Sequence, residues 1–148
     1  MSRPLARPPS ITLVALTSET RTAIGGDAVT ATPLPFRVGR ESRGSGLGQL
    51  FAREQRTPGG PRTNELYLKE LWEQVNVSRE HFQIEWDSQG LTLVDRGSTC
   101  GTIVEGKQVG GEGHGGAAPL RDGDVIIVGT AFSPFVFKVR VETDPPGR

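Results

Sequence analysis

The stretch "VSREHFQIEW", Val77 to Trp86, changes character halfway along. Phe82, Ile84 and Trp86 fall at alternate positions with Gln83 and Glu85 between them, the period-two pattern of a strand with one buried face. Ahead of that strand, Ser78, Arg79 and His81 gather a hydroxyl, a guanidinium and an imidazole on one short segment. The strand sets the fold class, and the polar cluster raises the question of function. Working outward, the same strand-like chemistry recurs in "ITLVALT" (11–17), "PFRVGR" (35–40), "LTLVD" (91–95), "GTIVEG" (101–106), "DVIIVG" (124–129) and "FVFKVRV" (135–141). Valine, isoleucine, threonine and phenylalanine dominate these runs, as a pleated, half-buried surface requires. "DSQG" (87–90) is a short hairpin connection between two of them. Many brief strands separated by glycine and proline turns predict an all-β sandwich or barrel.

Three segments break the rhythm. "ESRGSGLGQLFAREQRTPGGPR" (41–62) is glycine-rich, carries four arginines and is too long for an ordinary connection, so it reads as a surface insertion. "GGEGHGGAA" (110–118) reads as a second flexible loop. Leu68, Leu71, Trp72 and Val75 recur at i, i+3, i+4 and i+7, which predicts two turns of amphipathic helix over "LKELWEQV" (68–75), the only helix expected. The domain is expected over 11–142, with flexible tails at 1–10 and 143–148.

Composition narrows the function classes. Lysine plus arginine equals aspartate plus glutamate at 17 each, so no net field favours nucleic acid or an anionic membrane. Cys100 is the sole cysteine, which excludes an intramolecular disulfide framework and a cysteine-rich zinc site. His81 and His114 are too far apart in sequence to read as a metal pair, and no cofactor or metal is implied. No run approaches a membrane span or a signal-peptide core, so the expectation is a soluble cytoplasmic protein.

The candidate chemistry lies at strand ends. Arg40 follows Gly39 at the end of one strand, Ser78 and Arg79 precede another, and "RGSTCGT" (96–102) joins two more. A guanidinium fork, hydroxyl donors and backbone amides on glycine-bearing loops are the parts of an anion site, provided the three segments meet.

In order along the chain, "FRVGRE", "NVSREHFQIEW", "LVDRGSTCGTIVEGKQV" and "PLRDGDVIIVG" resemble a forkhead-associated (FHA) domain, from about Ile11 to Val141. The resemblance implies a β-sandwich of about eleven strands, with one long insertion and at most one short helix. Such modules bind phosphothreonine peptides on the loops at one end. It places a short strand over Leu66–Leu68. It also implies site roles: Arg40 pairing with the phosphate, Ser78 donating its hydroxyl to it, Thr99 bonding the phosphate or nearby peptide backbone, and Arg79 facing the ligand. His81 would brace the loops from beneath, with Gly39, Gly101 and Thr102 shaping the turns. The implied partner is a phosphothreonine-containing protein, either a Ser/Thr kinase or its substrate.

One position departs from the pattern. Cys100 stands where the family usually has an asparagine that grips the peptide backbone, and a thiol cannot supply that donor–acceptor pair. A second family asparagine is replaced by Glu105, at a position expected to shape a turn. Two other readings stay open. One is a degenerate FHA scaffold that binds an unphosphorylated partner. The other is a thiol hydrolase in which Cys100 and His81 pair, with Asp95 orienting the imidazole.

Overall fold

The computed structural model describes residues 8–40, 64–69 and 76–143. The expected insertion at 41–62, most of the helical reading over 68–75 and the ends of both tails lie outside the described residues. Two sheets form the architecture. The first is six-stranded: β2 (Ala28–Thr30), β1 (Ser10–Ala15), β11 (Val136–Glu142), β10 (Val125–Val128), β7 (Thr102–Val104) and β8 (Lys107–Val109), in that spatial order. The second is five-stranded: β4 (Leu66–Leu68), β3 (Phe36–Arg40), β5 (Phe82–Asp87), β6 (Gly90–Asp95) and β9 (Gly116–Pro119). Only the β3–β4 pairing is parallel among the registered pairs, with Gly39 opposite Tyr67 and Arg40 opposite Leu68.

Alternation places the core between the sheets. Ile11, Leu13, Phe137, Val139, Ile126 and Val128 come from the first sheet, and Phe36, Val38, Phe82, Ile84 and Leu93 from the second; all are buried in one cluster. Burying side chains of this size contributes on the order of 1.5–3 kcal/mol each, before conformational entropy is subtracted. The strand expected from "HFQIEW" is β5, with Phe82 and Ile84 fully buried and Trp86 at the exposed end. The expected β-sandwich and the strand over Leu66–Leu68 are both found.

Two expectations need correction. Of the 68–75 reading Leu68 belongs to β4, while helix α1 (Ser18–Ile24) lies where none was expected. Thr17 caps it by accepting the Thr20 N–H at 3.0 Å, and Gly25 ends it in the left-handed region. Its buried face is only Thr20 and Ala23, too small to register as an apolar stripe. Secondly, 110–118 is not wholly a loop: Gly111 bridges His114, and Gly116–Pro119 is β9, paired with β6. Beyond the strand runs read from the sequence, the first sheet gains β2 and β8 as short edge strands. The expected turn at Glu105 is real. Glu105 and Gly106 have φ of 49° and 82° and close the β7–β8 hairpin, the primed-turn geometry.

Candidate functional site

The three candidate segments meet. Arg40, at the end of β3, donates its backbone N–H to the Ser78 carbonyl at 2.9 Å, and its guanidinium Nη1 donates to the Val77 carbonyl at 3.1 Å. Ser78 Oγ accepts the Thr99 N–H at 3.0 Å. That contact joins the loop before β5 to the loop before β7. It also fills an acceptor position on Ser78, so the hydroxyl proton points elsewhere and can be donated. Thr99 is exposed and Cys100 half-buried on the same loop.

His81 lies fully buried beneath this junction. Its Nδ1 accepts the Ser78 N–H at 2.9 Å, which puts the ring proton on Nε2, and Nε2 donates to the Gly101 carbonyl at 2.7 Å. One imidazole therefore ties both loops by backbone atoms. A thiol–imidazole pair needs a ring nitrogen to take the Cys100 proton, and both are engaged with backbone. Asp95 does not orient the ring either. Its carboxylate accepts the N–H groups of Gly97 and Ser98 and the hydroxyls of Ser98 and Thr102, at 2.7–3.0 Å. Four neutral donors satisfy a buried charge and fold 95–102 into a tight knot. Gly101 passes through that knot at φ 84°, where a side chain would be strained and its Cβ would lie 2.9 Å from the Gly110 carbonyl.

A family model for the FHA domain matches residues 53–129, slightly more than half of the chain. The chain belongs to the FHA domain family. The match starts beyond Arg40, so it is the hydrogen bonds to Val77 and Ser78 that attach that residue to the FHA loops. Among solved structures, the FHA domain of an Arabidopsis thaliana hypothetical protein superposes with a TM-score of 0.61 at 25% identity, covering 100% of this chain and 99% of that one. An FHA domain from a structural and functional analysis of phosphothreonine-dependent interactions gives 0.54 at 25% identity, over 92% and 98%. The FhaA FHA domain, complexed with the intracellular domain of Rv3910, gives 0.51 at 25% identity, over 88% and 100%. No curated protein sequence matches.

Sequence reasoning missed a second layer of the FHA loops, centred on Asn64. Its side chain is fully buried; Nδ2 donates to the Arg79 carbonyl at 2.9 Å and Oδ1 accepts from Arg96 Nη1 at 2.6 Å. The amide reaches Arg79 by passing over Gly39. A Cβ on Gly39 would sit 2.0 Å from the Arg79 carbonyl oxygen and 2.6 Å from Asn64 Nδ2. Gly39 is thus required by close approach, not by a turn. The Arg79 side chain is exposed at the rim. Arg96 also faces Glu80 at 3.4 Å; burial lowers its pKa and Glu80 opposes that, and it remains a cation. Next to Asn64, Glu65 accepts the backbone N–H and the guanidinium of Arg37 and holds β4 on β3. That hydrogen bonding lowers the Glu65 pKa and raises that of Arg37. A polar Asn-Glu pair just ahead of the alternating "LYL" was the only signal for this layer.

Proposed function

We propose that the chain is a phosphothreonine-dependent interaction module of cytoplasmic Ser/Thr kinase signalling, recognising a phosphorylated kinase or kinase substrate on the loops at the β3–β5–β7 end. One observation carries the reading: Arg40 and Ser78 are held side by side by backbone contacts, and the Ser78 hydroxyl keeps its proton for donation. A phosphate near neutral pH brings close to two negative charges and three acceptor oxygens, which suit a guanidinium fork beside hydroxyls. In this reading Arg40 and Ser78 take the phosphate, and Thr99, Arg79 and Cys100 face the peptide around it. His81, Gly39, Gly101 and Thr102 keep the loops in place. The FHA relative studied for phosphothreonine-dependent interactions supports the ligand class. Engagement of both His81 nitrogens with backbone favours a binding role over thiol catalysis.

The test is calorimetry with the best peptide from an oriented phosphothreonine library, its unphosphorylated twin and its phosphoserine twin. We expect binding of the phosphothreonine form only at useful affinity, and a loss of about 2–5 kcal/mol in Arg40→Ala if the phosphate is desolvated. The phosphoserine form should be weaker by roughly 0.8 kcal/mol or more, the burial of one methyl group. Equal affinity of phosphorylated and unphosphorylated peptides would favour the scaffold reading, with which the loss of the backbone-gripping asparagine at Cys100 agrees.

A further inference from the structure

The outward faces of the two sheets differ. On the second sheet, the register places Arg37 beside Gln83 and Glu85 beside Thr92, with Val94 and Ala117 completing the first of these rows, a mostly polar surface. On the first sheet, Val136 is opposite Ile127 and Ile127 opposite Ile103, and Leu16 continues the row through its N–H to the Val136 carbonyl at 3.0 Å. Their sequence neighbours Ala15, Phe137, Ile126, Val128, Thr102 and Val104 are buried inward, so these four side chains face out. None belongs to the core cluster or packs against it, and Leu16 is 44% exposed. The next row is Val14, Lys138 and Val125, followed by Thr12 and Arg140. Beside the apolar row stand two exposed cations, with one carboxylate, Glu105, held to the Val125 N–H at the far side of the sheet.

The row lies at the loop end of the sheet. Ile103 follows Thr102 directly out of the Asp95 knot. Val128 and Val136 flank the 129–135 loop, which carries Phe132 at 96% exposure. That loop is braced: Ser133 Oγ donates to the Val128 carbonyl at 2.8 Å and accepts from Phe135 N–H, and Gly129 lies so close to Asn76 that a Cβ would meet its carbonyl at 2.9 Å. An apolar ring is held in water on a loop touching the segment that leads to Ser78.

We infer that this face is a second docking surface, for an amphipathic helix of a partner protein whose apolar stripe is flanked by carboxylates. Four strands at about 4.8 Å spacing give a row of about 14 Å. A helix laid across the strands supplies one apolar side chain per turn, about 5.4 Å apart, so two to three turns cover it. Lys138 and Arg140 then meet the acidic flank. A second copy of this chain would instead bring the same cations against its face, which disfavours self-association there.

The experiment uses the isotope-labelled full chain and two synthetic helical peptides of about 15 residues. Both share one leucine stripe, flanked by glutamate in one and lysine in the other; neither carries phosphate, so the outcome is independent of the phosphothreonine reading. Amide shifts at Leu16, Ile103, Ile127 and Val136 should follow the glutamate peptide, with affinity about tenfold above the lysine peptide. Ile103→Thr with Ile127→Thr should abolish them. Lys138→Glu, an exposed change that leaves the core alone, should reverse the flank preference. Equal affinity for the two flanks, shifts confined to 76–81 and 96–101, or binding that survives the double substitution would overturn the proposal. So would concentration-dependent dimerisation that the double substitution removes, which would make a second copy the occupant.

Discussion

Gly39 shows how one hydrogen atom in place of a methyl group controls the site. In Gly39→Ala the clash cannot be relieved by a side chain alone, because the atom nearest the new Cβ, at 2.0 Å, is the Arg79 backbone carbonyl oxygen. Overpacking of this kind costs about 1–3 kcal/mol, and the Asn64 amide must leave its acceptor as well. Urea unfolding checks this; an unchanged midpoint would mean the backbone yields freely. Cys100 is the complementary case, where a change should improve matters. Cys100→Asn adds a donor and an acceptor at the family position for gripping peptide, each hydrogen bond contributing about 0.5–1.5 kcal/mol. Phosphopeptide affinity should rise by about tenfold, with no gain when Arg40→Ala is also present; calorimetry on both variants decides. Arg40, Ser78 and His81 could be singled out in the sequence by their chemistry and order along the chain, and the structure brings them together. Asn64 could not be singled out, because its role depends on passing over Gly39, and only folding brings 64 to 39 and 79.

At the scale of elements, β3 and β4 depend on the Arg37–Glu65 pair. The Glu65 pKa is held below its ordinary value of 4.5, chiefly by the hydrogen bond from Arg37. A carboxyl whose folded pKa is depressed stabilises fully above its unfolded value and loses that contribution as pH falls through the folded one. The stability difference between wild type and Glu65→Gln should therefore be constant above about pH 5 and shrink below pH 4.5. Denaturant midpoints between pH 3 and 7 test it; a difference that grows on acidification would assign the sign wrongly. The long, β-branched strands were readable from alternation alone. β9, "GAAP", was not: glycine, alanine and proline are poor strand formers, and pairing with β6 overrides them. α1 was overlooked although Thr17 and Gly25 bracket it, because its inward residues are a threonine and an alanine, not an apolar stripe.

The whole molecule couples its loops to its stability. A phosphopeptide that binds the folded chain alone, at a hundred times its dissociation constant, adds about 2.7 kcal/mol. For a chain of this size each kcal/mol raises the melting temperature by about 2–4 °C, so a rise of about 5–10 °C is expected. Thermal scans should show it in wild type and not in Arg40→Ala. The two-sheet arrangement was legible from the spacing of strands, whereas the meeting of three distant segments at one end was a condition the sequence left open. The Asp95 knot has a further consequence. Its carboxylate is solvated by amide and hydroxyl donors inside the protein, with no counter-ion among them. Dissolved ions screen exposed charges within about 3 Å at molar ionic strength but hardly reach a buried carboxylate. If Arg40 takes the phosphate as proposed, sodium chloride should weaken that capture while leaving the geometry of the Asp95 loop intact. Backbone amide shifts of Gly97 and Ser98 that stay fixed from dilute buffer to brine, while peptide affinity falls, would show a receptor whose mould is indifferent to ionic strength and whose grip is not.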